Sequence, residues 1–208
     1  MRTIQLEEPY RTVSPYTLAS PSRQENLVRL AKEIENRGIA GAVVECGVLD
    51  GGTAALMAHA TASSGREIHL FDAWRGLPEV TPEDGAESKQ WVGQAVGSPK
   101  RVVKVMESLG IDKSRLHFHV GWFHETFPHA NIPEIALLHI DCDFYEPTKL
   151  CLEIWYPKVV PGGFIQFDDY DAFEGFRKAV DEFLASHPYL NLETFGSQGT
   201  AFFLQKPQ

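Results

Sequence analysis

Apolar residues recur along this chain in two alternating rhythms. Short, mainly apolar runs with the character of buried strands occur at 42–46, 68–71, 135–140 and 164–167, and a further strand at 116–120 alternates apolar residues with His117 and His119. Between them lie stretches spaced for helices. Ser20 and Ser22 offer N-caps to a helix whose Leu27, Leu30 and Ile34 share one face, and Gly38 suits its end. A helix over 53–62 follows a glycine loop, two modest helices cover 88–96 and 99–109, and another covers 148–155. Residues 174–185 form an amphipathic helix through Phe176, Val180, Phe183 and Leu184. Two strands at 190–195 and 200–204, split by Gly196-Ser-Gln-Gly199, close the chain as a hairpin. Strands alternating with helices predict one open α/β domain over 20–208, with a mostly parallel sheet and an antiparallel C-terminal hairpin. Residues 1–19 lack periodicity and are expected to form an arm or lid.

Composition narrows the function. Nineteen Lys and Arg against 28 Asp and Glu give a formal charge of −9, and no basic run is present. Such a chain repels phosphate backbones, which argues against a nucleic-acid partner. No apolar stretch reaches the roughly 18–20 residues that span a bilayer. Cys46, Cys142 and Cys151 show no paired spacing and read as reduced thiols, so a cytoplasmic location is expected.

The chemistry-bearing residues all fall where strands end, which is where open parallel sheets bind ligands. After the first strand comes Glu45-Cys-Gly47-Val-Leu-Asp-Gly51-Gly52-Thr53. Its glycines allow a sharp turn and close backbone approach. The spacing is neither the dinucleotide fingerprint nor a P-loop, and an acidic residue beside the loop suits a cationic amino acid better than a phosphate. Asp72 closes the second strand, where carboxylates accept hydrogen bonds from ribose hydroxyls. Asp141 and Asp143 follow the fourth strand, and Asp168-Asp169 the fifth. Clustered carboxylates call for a cation or protons; oxygen-only donors favour a hard ion such as Mg²⁺, beside which a substrate hydroxyl is more easily deprotonated. His124 is a further candidate acid or base.

Taken in order, these segments resemble the macrocin O-methyltransferase family. Four stretches carry the resemblance: Glu45–Gly52; Asp72-Ala-Trp-Arg-Gly-Leu-Pro78; Gly121-Trp-Phe-His-Glu-Thr-Phe-Pro128; and Asp141-Cys-Asp-Phe-Tyr-Glu-Pro-Thr148, continuing through Pro161-Gly-Gly163 to Asp168-Asp-Tyr170. The resemblance implies a class I methyltransferase fold with seven strands, dependent on S-adenosylmethionine and Mg²⁺. It implies that Glu45, Gly47, Gly51, Gly52 and Thr53 face the methionine part of the cofactor, that Asp72 binds its ribose, and that Gly121 and Trp122 lie by the adenine. It implies Asp141, Asp168 and Asp169 as metal carboxylates, and Asp141 or Asp143 as acceptor of the proton from a small-molecule hydroxyl. Trp74, Trp122 and Tyr16 are candidates for closing the site. Cys142 replaces the family's usual glycine, and His139 stands where an arginine is common. A homodimer is compatible with the resemblance.

Three other readings compete. Tyr145-x-x-x-Lys149 has the spacing of a short-chain dehydrogenase, but Pro147 intervenes and the NAD glycines are absent. Asp141-Cys-Asp143 has the paired aspartates of a metal-dependent hydrolase or phosphatase, although it lies late in the chain. A non-catalytic nucleoside-binding module is the third.

Overall fold

The computed structural model describes residues 7–196 and 200–208. The first six residues of the expected arm and Ser197–Gly199 of the expected hairpin turn lie outside them. A seven-stranded sheet runs in the order β3-β2-β1-β4-β5-β7-β6. Its strands are β1 (Ala42–Cys46), β2 (Ile68–Asp72), β3 (Leu116–Val120), β4 (Ile135–Ile140), β5 (Val159–Phe167), β6 (Glu193–Phe195) and β7 (Ala201–Gln205). The first five are parallel; β7 runs antiparallel to both β5 and β6. This is the class I methyltransferase arrangement. The strand order reverses between β1 and β4, so the ends of those two strands open the crevice where ligands of such sheets bind.

Among the described residues seven α-helices accompany the strands: α1 (Tyr10–Val13), α2 (Pro21–Asn36), α3 (Gly52–Ala60), α4 (Pro99–Ser108), α5 (Phe123–Thr126), α6 (Tyr145–Trp155) and α7 (Glu174–Ser186). One core, around Leu27, Leu30, Ile34, Leu56, Met57 and Val105, lies on the α2–α3–α4 face of the sheet. The other, around Phe71, Leu138, Trp155, Phe167 and Phe176, lies on the α6–α7 face. Burial on both faces is why β1 and β4 are apolar throughout except for Glu45 and His139. Ser20 caps α2 as expected, accepting from the Arg23 N–H.

Three local differences have physical causes. The stretch 88–96 holds a 3-10 segment, Ala86–Trp91, rather than an α-helix; Gly85 and Gly93, both at positive φ, bracket it. β5 begins at Val159, five residues before its apolar run. Pro161-Gly162-Gly163 reads as a turn but is carried within the strand as an irregularity, where the register against β4 shifts. The segment after residue 6 is not wholly peripheral: Val13 is fully buried in the first core.

Candidate active site

The loop after β1 is shaped mainly by the protein itself. Gly47 adopts φ +90°, and a Cβ there would lie 1.6 Å from the Asp141 carbonyl oxygen. Gly51, at φ +83°, would meet the Val102 side chain, and Gly52 would meet Tyr16 and Thr17. The glycines therefore let three elements crowd one turn. Asp72 fixes the loop from β2: its Oδ2 accepts from the Val48 and Leu49 N–H groups at 2.8 and 2.9 Å, and its Oδ1 accepts from the Trp74 N–H at 2.6 Å. With two oxygens and three such bonds, Asp72 keeps acceptor capacity to spare. Trp74 is buried and donates its indole N–H to the Leu49 carbonyl, so it braces the loop instead of closing the site.

A cavity of about 1440 Å³ opens over these strand ends. Gly47, Thr53, Asp72, Gly121 and Trp122 line it, as do Asp141, Asp143, Asp168 and Asp169. Gly51 and Gly52 stand one step behind the wall. Tyr16, Thr17 and Leu18 line the cavity from the N-terminal segment, and Leu18 (82 % exposed) and Trp91 (46 %) present apolar surface at its edge. His124 is exposed at the same rim.

Glu45 lies beneath the cavity rather than on its wall. Strand order puts it beside His139, which sits beside Gln166, so three polar side chains cross the middle of the sheet in register. His139 Nδ1 is 2.8 Å from Glu45 Oε1, and its Nε2 is 3.3 Å from Asp168 Oδ1. Burial alone would lower the pKa of this imidazole; hydrogen bonds to Asp168 and Glu45 outweigh it and raise the value to about 9. His139 thus supplies the positive charge that an arginine would supply here. The other Glu45 oxygen, Oε2, is buried without a hydrogen-bond partner, and Thr53 lies close by.

Four aspartates crowd the ends of β4 and β5. Asp143 sits at φ +63°, uncommon for a residue with a Cβ, and its N–H donates to Asp169 Oδ2 at 3.0 Å. Burial, then the charges of Asp168 and Asp169, push the Asp141 carboxyl up. Asp143 rises to about 7 through burial and the charges of Asp168 and Asp72. Asp169 rises through burial, Asp143 and Asp168. Donor atoms of His139, Asp141 and Asp168 lie within 4.8 Å of one another. Both ring nitrogens of His139 are already engaged, so this imidazole neutralises the group and the oxygens are its free donors.

Two contributors were invisible as sequence. Arg23 of α2 reaches Asp168 Oδ2 at 3.5 Å and Asp171 Oδ1 at 2.6 Å, while its Nε is buried without a partner. Asp84 is buried and accepts from the Tyr145 N–H at 2.6 Å, which caps α6. Arg23 and His139 face Glu45, Asp141, Asp143, Asp168 and Asp169, so anionic charge remains in excess. Cations bind where such oxygen donors converge.

The chain matches the macrocin O-methyltransferase family model over residues 5–196. It is 30 % identical over 176 residues to the 8-demethyl-8-(2,3-dimethoxy-alpha-L-rhamnosyl)-tetracenomycin-C 4'-O-methyltransferase of Streptomyces olivaceus, covering 81 % of this chain and 67 % of that protein. It is 30 % identical over 191 residues to the mycinamicin III 3''-O-methyltransferase of Micromonospora griseorubida, covering 86 % and 74 %. Among solved structures, the O-methyltransferase NovP superposes with a TM-score of 0.76 at 27 % identity, over 89 % of this chain and 80 % of that one. With family model, relatives and sheet in agreement, this chain belongs to the macrocin O-methyltransferase family and is an S-adenosylmethionine-dependent O-methyltransferase.

Proposed function

We propose that this enzyme methylates a sugar hydroxyl of a small glycosylated acceptor, with a divalent cation held by the aspartates. The observation that carries the reading is that one cavity joins the loop after β1, Asp72 and Gly121-Trp122 to four aspartates. The names of two relatives support the acceptor class: one denotes methylation of a rhamnosyl-bearing tetracenomycin, the other of mycinamicin III. The apolar edge made by Leu18 and Trp91 fits the aglycone of such a molecule.

The cofactor, when bound, supplies an electrophilic methyl group on a sulfonium centre. Thr53 on the cavity wall, with the unpartnered Oε2 of Glu45 just beneath it, fits the ammonium of its methionine part. Gly47 lets the backbone pass close to it, and Gly51 and Gly52 hold the loop in that shape. Asp72 offers its spare acceptor capacity to a ribose hydroxyl, while Gly121 and Trp122 flank the adenine. Asp141, Asp168 and Asp169 would hold Mg²⁺, which acidifies a hydroxyl next to it. Asp143, poised near 7, takes the hydroxyl proton, with Asp141 beside it. The unpaired thiols of Cys46, Cys142 and Cys151 fit a reducing, cytoplasmic setting.

Calorimetric titration of S-adenosylhomocysteine and of Mg²⁺ into wild type and Asp168→Ala/Asp169→Ala tests this reading. The variant is expected to keep micromolar nucleoside binding and to lose Mg²⁺ binding, with methyl transfer to a rhamnosyl glycoside falling roughly 10²-fold or more. Full transfer activity in the presence of chelator would overturn the metal assignment, and absence of nucleoside binding by the folded wild type would overturn the cofactor site.

A further inference from the structure

A second cluster of metal-ligating side chains lies at the other end of β2 and of the edge strand β3, away from the cavity. His69 of β2 and His117 of β3 are direct neighbours in the parallel register, and Glu67 immediately precedes β2. His69 Nε2 is 3.3 Å from Glu67 Oε2, and His117 Nε2 is 3.6 Å from Glu67 Oε1. One donor atom from each of the three lies within 4.8 Å of the others. None of the three lines the cavity.

Two details separate this group from an ordinary surface cluster. His117 Nε2 is buried yet has no hydrogen-bond partner, which is costly for an imidazole nitrogen unless something occupies the space before it. His69 is held from behind: its Nδ1 is 3.0 Å from His119 Nε2, the next histidine on the same face of β3. With the proton on Nδ1 and donated to His119, His69 Nε2 turns a lone pair toward the Glu67 carboxylate. In the other tautomer Nε2 instead donates to Glu67, so a bound cation would select the first. A ligating histidine typically has its far nitrogen oriented by such an outer partner.

We propose that Glu67, His69 and His117 form a binding site for a divalent transition metal, with Nε2 of each histidine and a Glu67 carboxylate oxygen as ligands and His119 as the residue that orients His69. Two imidazoles and one carboxylate favour Zn²⁺ or Co²⁺ over Mg²⁺, which sets this site apart from the all-oxygen group at the cavity. Glu67, 60 % exposed in its side chain, leaves the site open to solvent for entry and for water in the remaining position. The His69 and His117 rings stack with centroids 4.7 Å apart at 17°; convergence on one ion opens that stack, by rotation of the partly exposed His117. The consequence is mechanical. β3 is an edge strand paired with β2 alone, and an ion bridging the two would clamp it.

The test is Zn²⁺ calorimetry on metal-stripped protein, with Co²⁺ absorption as a second readout. Wild type is expected to bind Zn²⁺ with micromolar affinity, and Asp141→Asn is expected to retain that event. His117→Gln and Glu67→Gln, both at positions that reach solvent, should each weaken it at least 10-fold while keeping the wild-type circular dichroism. Wild type loaded with one Co²⁺ should show visible d–d bands of low coordination number, and His117→Gln should not. The proposal is overturned if Zn²⁺ binding disappears in Asp141→Asn but persists in His117→Gln, or if folded wild type binds no Zn²⁺ at micromolar concentration.

Discussion

At the scale of single residues, the acidic site is held together against its own charge. Burial and neighbouring carboxylates both raise Asp141, so its ionised form opposes folding until a cation arrives. Neutralising it should therefore stabilise the metal-free protein while removing one of the proposed metal ligands. Asp141→Asn is expected to raise the melting temperature in chelator by roughly 2–5 °C, on the scale of a gain of about 1–2 kcal/mol for a chain of this size. Differential scanning calorimetry with and without Mg²⁺ checks this: the variant should start higher and gain nothing from Mg²⁺. A lower melting temperature would mean that Asp141 is already neutralised by its protein neighbours. His139 works in the opposite sense, bringing a proton to the buried Glu45–Asp168 pair. Its identity was visible in sequence; its partners were not, because Glu45 lies 94 residues away and meets it only through the adjacency of β1 and β4.

At the scale of elements, the loops that carry the site are set by contacts from outside themselves. Tyr145 begins α6 without a side-chain cap from Phe144, and Asp84, 61 residues earlier, accepts its N–H instead. That contact holds the turn containing Asp143. Asp84→Ala leaves the buried N–H unsatisfied, and chemical denaturation should show a loss of about 1–2 kcal/mol. Methyl transfer should fall more than nucleoside binding does, because the displaced turn carries Asp143, the proposed proton acceptor. The loop after β1 offers a sharper case. Gly47→Ala places a methyl group on the Asp141 carbonyl at a positive φ. It should cost more than the ~1 kcal/mol of an ordinary Gly-to-Ala strain and impair nucleoside and metal binding together, since it pushes the ends of β1 and β4 apart. Equal melting temperatures for Gly47→Ala and wild type would refute that coupling.

For the whole molecule, both halves of the site hang on one sheet, so ligand binding should register as global stability. S-adenosylhomocysteine at about 100 times its dissociation constant should add roughly 2.7 kcal/mol, or about 5–10 °C in melting temperature for a domain of this length. A smaller shift with tight binding would indicate that the cavity walls melt separately from the core. Among the described residues no helix is long and apolar enough to cross a membrane, consistent with a sheet buried by its own helices. The sequence by itself determined the order of strands and helices, the five parallel strands and the carboxylates at their ends. These follow from local periodicity and from the rule that loops at the carboxyl ends of parallel strands carry ligands. The extension of β5 through Pro161-Gly162-Gly163 escaped it, because those residues signal a turn and are carried in the strand only as an irregularity against β4, with Gly162 and Gly163 hydrogen-bonded to Lys206 beyond β7. Tertiary structure alone decided that Glu45 is buried against His139, that Arg23 reaches Asp168 from α2, and that Gly51 and Gly52 are shaped by Val102 and Tyr16. Each of these depends on which distant elements become neighbours, and adjacency across a sheet leaves no periodic trace along the chain.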